Sequence, residues 1–181
     1  MNRAYRLGRR QAAVDRTGRA ILEAARQAVA DTPAGSPSVG AIARRAGVSR
    51  LTIYNRFGGK DGLLRALAPQ APRVAESDLA DPPRDALHRR LRDACSSWAA
   101  NPSLYRHLPT SEAGAAELDH KLAERLAAAD ALRPGCSIKE AEDVIGALAS
   151  FAVFDRLHKD GRRSPGAVAE VLMRLAAGIL A

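Results

Sequence analysis

The stretch that decides the fold is SVGAIARRAGVSRLTIYNRF, residues 38–57. It holds two short amphipathic segments on either side of Gly47, a residue that accepts the positive φ needed where two helices turn sharply. Ser49 can cap the second segment, in which Ile53 and Phe57 share one helical face. The stretch therefore predicts two short helices joined by a tight turn, a helix-turn-helix.

The other faces of the second helix are basic and rich in hydrogen-bonding groups. Arginine can donate twice to guanine, asparagine can pair with adenine, and a leucine or threonine methyl group can touch the thymine methyl. We therefore expect these side chains to contact base edges in the major groove of DNA: Arg50, Leu51, Thr52, Asn55 and Arg56. For single members of this set, such as Thr52 or Arg56, the alternative is a contact with phosphate or solvent alone.

The positive charge of the chain is concentrated around this motif. Residues 1–60 carry 12 lysines and arginines against 3 acidic residues, a net charge of +9. Residues 61–181 carry 16 against 17, a net charge of −1. Such an asymmetry is typical of a polyanion-binding module attached to a nearly neutral body, with a solvated basic surface as the alternative.

Upstream of the motif, the sequence predicts an arm and then a helix. Residues 1–16 have no sustained apolar stripe, and they carry Arg3, Arg6, Arg9 and Arg10, which predicts a flexible basic arm able to enter the minor groove. The first helix then places its apolar side chains on one face and ends before Pro33, Gly35 and Pro37; that face consists of Ile21, Ala25, Ala28 and Val29.

Downstream, the helical periodicity continues and no strand-like run is present. Pro69 and Pro72 interrupt the pattern and suggest a domain boundary. Further helices are predicted over 83–100, 115–132, 137–158 and from Ser164 to the end of the chain. We therefore predict an all-α protein with an arm over 1–16, a three-helix DNA-binding domain over 17–65, and a second helical domain over 66–181, to which the family resemblance given below assigns effector binding and dimerisation.

Several classes of protein and site find no support in the sequence. No apolar run is long enough to span a bilayer, so we expect a cytoplasmic protein without a membrane contact. Cys95 and Cys136 lie far apart, and the four histidines have no metal-ligand spacing, so we expect free thiols and no metal. No nucleophile-base pair or phosphate-binding glycine loop is present, and we predict neither an enzyme nor a cofactor.

The helix-turn-helix resembles that of the tetracycline-repressor (TetR) family. The resemblance runs without gaps over residues 21–60, from the ILEAA of the first helix to Lys60. The family often has phenylalanine in place of Val29, glycine in place of Pro33, and a polar cap where this chain has Gly58 and Gly59. The resemblance implies contacts to DNA phosphates from hydroxyl, ammonium and backbone N–H donors of Ser38, Gly40, Ser49, Tyr54 and Lys60.

The resemblance also implies a homodimer that binds a palindromic double-stranded operator as a repressor. Apolar residues over a wide arc of the last two helices favour dimer contacts, with monomer core as the alternative: Val144, Leu148, Phe151, Val168, Leu172, Leu175 and Ile179. A small-molecule effector would release the DNA, and the pocket candidates, each with core or surface as its alternative, are His88, Trp98, Tyr105, His107 and Phe151. The rival function is a ligand-independent or architectural DNA-binding protein.

Overall fold

The computed structural model describes residues 3–31, 37–68, 81–108 and 113–181. The regular secondary structure in these ranges is helical, which confirms the all-α prediction. The helices are, in chain order, α1 (Arg3–Ala30), α2 (Val39–Ala46), α3 (Arg50–Phe57), α4 (Lys60–Leu67), α5 (Pro83–Ala100), α6 (Pro102–Tyr105), α7 (Ala113–Ala128), α8 (Ile138–Leu148), α9 (Phe151–Asp155), a π-helical segment (Arg156–Asp160) and α10 (Pro165–Ala176).

The chain forms two compact units. The first comprises Met1–Pro69 with Ser103–Thr110, and the second comprises Gln70–Pro102 with Ser111–Ala181. The first unit thus takes in a segment well beyond the boundary expected near residue 65. Leu104 explains this, because it is buried against Val29 and Leu64.

The core of the first unit is built from one large aliphatic side chain on each of its four main helices. These side chains have no exposed surface and pack in a single cluster: Ile21 of α1, Ile42 of α2, Ile53 of α3 and Leu63 of α4. Burial of such a side chain contributes about 1.5–3 kcal/mol. The cluster therefore holds the two helices of the motif against α1 and α4.

The turn of the motif has the local geometry that the sequence predicts. Gly47 has a φ of 66°, in the left-handed region, and ends α2. The Ser49 hydroxyl accepts a hydrogen bond of 3.1 Å from the Thr52 backbone N–H and so caps α3. Ser38 also occupies a cap position, but its side chain makes no capping hydrogen bond to α2. The predicted cap is therefore confirmed for Ser49, whereas the side chain of Ser38 does not cap α2.

The first helix is longer than the sequence suggested. It begins at Arg3, so most of the arm predicted over residues 1–16 is helical. The arm was inferred from a missing apolar stripe, yet this segment lacks proline and consists largely of arginine, alanine, leucine and glutamine, which have good intrinsic helix propensity.

The second unit has its own core, to which α5, α7, α8, α9 and α10 all contribute. Its largest fully buried side chains are Leu87, Leu91, Leu126, Ile145, Phe154 and Leu172. An ion pair of 3.1 Å between Arg90 of α5 and Asp119 of α7 lies at the edge of this core, where Asp119 is almost fully buried. Pairing with a guanidinium is what allows a carboxylate to be buried there.

The long helix predicted over 137–158 is wrong, because it is broken near its middle. Ser137 caps α8, but α8 ends at Leu148 and Ser150 adopts an extended backbone. The Ser150 hydroxyl donates a hydrogen bond of 2.8 Å to the Ala147 carbonyl. Serine competes in this way with helical hydrogen bonding, which the apolar periodicity does not reveal.

The apolar residues predicted for a dimer interface fall into two groups. Leu148, Val168, Leu172 and Ile179 are buried within the second unit, so they have little or no surface left for a partner. The prediction is corrected for these four, because one apolar stripe cannot distinguish core from interface. The other three keep exposed surface: Val144 and Phe151 are half-buried and Leu175 is 55% exposed.

None of the helices in the described ranges has the length and hydropathy that crossing a bilayer requires. Within the same ranges, histidine, cysteine, aspartate and glutamate side chains do not gather into a group of three that could hold a metal ion.

The two thiols differ in environment, and we expect them to differ in reactivity. Burial raises the pKa of Cys95 to about 11, whereas half-buried Cys136 has its pKa raised by desolvation and the Glu140 charge. Because the thiolate is the nucleophile, a water-soluble maleimide at pH 8 should label only Cys136 in the native protein, at a rate that increases with pH. Denaturant should expose the second thiol.

Mass spectrometry of the labelled protein measures this, and the control is Cys136→Ser, which should take up no label until it is unfolded. Labelling of both thiols at the same rate in native buffer would contradict the buried position of Cys95.

Candidate nucleic-acid interface

Helix α3 is anchored through one face and leaves most of its side chains outside the core. Ile53 is its buried residue and Phe57 is half-buried against the same cluster. Leu51 is 66% exposed and Tyr54 is 52% exposed. The structure thus places on one short helix an apolar anchor and a broad surface of polar and basic groups.

Five predicted base-contacting residues belong to this helix, and four of them are exposed: Arg50, Leu51, Asn55 and Arg56. The fifth, Thr52, is half-buried, and its hydroxyl lies 2.9 Å from the Ser49 hydroxyl. Thr52 is therefore engaged in the cap of α3, where only part of its side chain faces outward.

The Arg50 guanidinium lies on the first turn of α2. Gly40 is buried beneath it, and a Cβ added at Gly40 would lie 2.9 Å from Nη2 and 3.1 Å from Nε of Arg50. The backbone N–H groups in the first turn of a helix have no intrahelical partner and attract anions. Arg50, which is predicted to contact bases, and Gly40, which is predicted to contact a phosphate, are thus neighbours.

The Arg56 guanidinium lies on α1. A Cβ added at Gly18 would lie 2.7 Å from both Cζ and Nε of Arg56, and closer still to Nη2. Arg56 also lines a groove between α1 and α3, together with Asp15, Gly18, Arg19, Leu22 and Phe57. This contact could not be predicted from the sequence, because nothing in a helical glycine indicates which distant side chain covers it.

The Tyr54 ring lies over Gly59, at the junction of α3 and α4. A Cβ at Gly59 would lie 3.3 Å from Cε1 of Tyr54. Gly59 has φ 116° and ψ −162°, a conformation that is essentially restricted to glycine. Lys60, the next residue, is half-buried and begins α4. The structure therefore brings the Tyr54 ring close to the start of α4, where Lys60 lies. Tyr54 and Lys60 are two of the predicted phosphate contacts.

Exposed Ser38 stands before α2, and Ser49 stands before α3. Ser49 is committed to the cap of α3 through its hydroxyl. Arg45, in the last turn of α2, forms an ion pair of 2.8 Å with Asp31 that is exposed on both sides. Exposed pairs of this kind contribute little to stability.

The predicted effector residues are not all neighbours. In the second unit, Trp98 and Phe151 pack edge to face with ring centroids 6.2 Å apart. His88 belongs to the same unit but bonds Glu170, at 2.9 Å from Nε2 to Oε1. Tyr105 and His107 are half-buried residues of the first unit.

Two further rings join the Trp98 and Phe151 pair and were missed in the sequence. Phe154 lies 5.4 Å from Trp98, and His158 stacks on Phe154 at 4.9 Å. The His158 Nδ1 atom lies 2.6 Å from the Arg163 carbonyl oxygen. The spacing 151, 154 and 158 is helical, so this row of rings was a signal available in the sequence.

Comparison with known proteins gives a match that is centred on the first unit. Residues 21–67 match the family model for bacterial regulatory proteins of the tetR family. The HTH-type transcriptional repressor LfrR of Mycolicibacterium smegmatis is 40% identical over 82 residues. This match covers 42% of the chain and 42% of the length of LfrR.

Two solved structures share the fold over most of the chain. NalD, the secondary repressor of the MexAB-OprM multidrug efflux pump in Pseudomonas aeruginosa, has a TM-score of 0.67, with 22% identity over 92% of this chain and 98% of NalD. A TetR-like transcriptional regulator from Rhodococcus sp. RHA1 has a TM-score of 0.55, with 23% identity over 88% of this chain and 93% of the regulator. At these identities the likeness concerns the fold.

The backbone at Gly59 gives a test of the junction between α3 and α4. Gly59→Ala should lower the free energy of unfolding by about 1–3 kcal/mol, because alanine is strained in this conformation. Gly58→Asn is the matched control: Gly58 has φ 72° and ψ 10°, which asparagine tolerates, so the loss should be smaller. Urea denaturation followed by circular dichroism measures both, and equal losses would argue against the Gly59 geometry.

Proposed function

Because the chain belongs to the TetR family of bacterial regulatory proteins, we propose that it is a transcriptional repressor that binds a palindromic operator as a homodimer. In this proposal the first unit binds DNA in the cytoplasm. The second unit forms the dimer contacts and binds a small-molecule effector that releases the operator.

The exposed face of α3 is the observation that carries the proposal. A helix anchored by Ile53 and Phe57 on one face, with Leu51 two-thirds exposed beside Asn55 and Arg56, has the form of a helix that enters a major groove. The net charge of +9 over residues 1–60 favours approach to the phosphate backbone.

We assign the contacts with DNA by position and chemistry. Exposed side chains of α3 contact base edges: Arg50, Leu51, Asn55 and Arg56, with Thr52 contributing its methyl group. Backbone and side-chain donors at the starts of α2, α3 and α4, together with the Tyr54 hydroxyl in the middle of α3, contact phosphates; the residues are Ser38, Gly40, Ser49, Tyr54 and Lys60. Phosphate contacts set the register of the helix, and base contacts set its sequence preference.

The dimer proposal rests on the apolar side chains that keep exposed surface. Leu175 lies on the outer side of α10, and Val144 and Phe151 are half-buried on α8 and α9. A twofold axis through these helices would present two copies of α3. Two half-sites about 34 Å apart along one face of the duplex would then form a palindrome.

The effector proposal rests on the aromatic row of the second unit, in which Trp98 packs edge to face on Phe151 and at a tilt against Phe154, and His158 stacks on Phe154. Rings of this kind suit a flat apolar molecule, and the histidine adds a polar group. An effector can release DNA only if it binds two conformations of the dimer with unequal affinity.

The test is selection of duplex DNA from a randomised library with the full chain, followed by variants of α3. We expect an inverted repeat. Asn55→Ala should cost about 1–3 kcal/mol on that operator and relax preference at one base pair, because a bidentate contact to adenine is sequence-specific. Tyr54→Phe removes only a hydroxyl, and should weaken binding to all sequences alike by about 0.5–1.5 kcal/mol.

Fluorescence anisotropy competition against random DNA separates these two effects, once both variants are shown to keep wild-type helicity. A wild-type chain that enriches no sequence would overturn the proposed function. An equal loss for Asn55→Ala on operator and random DNA would remove Asn55 from the base contacts.

The dimer proposal can be tested with two leucines of one helix. Leu175→Glu should shift the protein from dimer to monomer in sedimentation while it keeps its helicity, because Leu175 is 55% exposed in the single chain. Leu172→Ala, at a fully buried position, should instead lower the free energy of unfolding by about 2–5 kcal/mol. A wild-type monomer at tens of micromolar would rule the dimer out.

A further inference from the structure

Gly18 occupies an unusual place for a glycine. It lies in the interior of the long helix α1 and is buried, although its neighbours Arg19 and Ala20 are exposed. Glycine inside a helix costs about 1 kcal/mol relative to alanine. Gly18 is not among the glycines with positive φ, so the backbone itself does not require glycine at this position.

What Gly18 permits is the close approach of a side chain from α3. The Arg56 guanidinium lies where a Cβ of residue 18 would be, with Cζ and Nε each 2.7 Å from that position. The contact therefore joins the outer surface of α3 to α1.

The surroundings of the guanidinium favour this placement. Leu22 and Phe57 line the same groove and offer apolar surface to the methylene stem of Arg56, while Asp15 contributes a carboxylate to the groove. An arginine held in one conformation loses less side-chain entropy when it binds than a free one does.

We infer that Gly18 is a specificity-determining position of the DNA-binding surface, although it lies outside α3. By having no side chain, it fixes the Arg56 guanidinium in the placement from which Arg56 contacts a base pair of the operator. The inference rests on the proposed DNA-binding function, and it makes Gly18 a positioning residue that acts through Arg56.

The test begins with Gly18→Ala in the free protein. The methyl group displaces the end of a flexible side chain rather than backbone, so the fold should persist and the thermal midpoint should stay or increase. In ¹⁵N relaxation measurements, the Arg56 Nε–Hε group should be rigid in the wild type and mobile in the variant. The Nε–Hε signal that disappears in Arg56→Lys is assigned to Arg56. An Nε–Hε group equally mobile in both proteins would overturn the inference.

The second measurement is a double-mutant cycle on the selected operator and its single-base-pair variants. Gly18→Ala should change the relative affinities at one or two base pairs by about fivefold or more, the lower end of what a bidentate guanidinium contact discriminates. In the Arg56→Ala background the same substitution should change nothing. Gly166→Ala is the matched control, because a Cβ at this glycine of α10 meets no other atom within 4 Å.

The outcomes separate the inference from the function on which it rests. If the wild type selects no operator, the proposed function and the inference both fail. If the wild type selects one and Gly18→Ala keeps the same base preference, or changes it equally without Arg56, only the inference fails.

Discussion

The burial of Ile53 is the interaction on which the DNA-binding surface depends. It is the buried residue of α3, an eight-residue helix that is too short to be stable alone. Ile53 has no exposed surface and packs in one cluster with Ile21, Ile42 and Leu63. Because this side chain fixes how α3 is rotated about its own axis, it also decides that Leu51, Asn55 and Arg56 face outward.

The first unit could be predicted from the sequence because its signals are local. Gly47, Ser49 and the pair Ile53 and Phe57 lie within eleven consecutive residues. Each acts through the backbone conformation or the helical face of its own segment, so its role needs no knowledge of distant contacts. The positions of these residues in the structure are those that such short-range rules predict.

The features of the second unit that could not be predicted depend on contacts that the apolar periodicity does not reveal. The helix breaks at Ser150, where the side chain bonds the Ala147 carbonyl, and Val168 and Leu172 are buried by helices that are distant in sequence. The aromatic row is intermediate, since the spacing of Phe151, Phe154 and His158 was visible while Trp98 comes from another helix. The same apolar stripe serves core and surface alike, and only the packed structure separates them.

The position of Arg50 over Gly40 bears on how related regulators are compared. The side chain that α3 presents at its first residue depends on a residue of α2, because any Cβ at position 40 would meet the guanidinium. Two chains with identical α3 helices thus display different surfaces when they differ at position 40. A rule that predicts the operator sequence from the eight residues of α3 alone would treat such chains as equivalent. A rule that also includes position 40 would distinguish them.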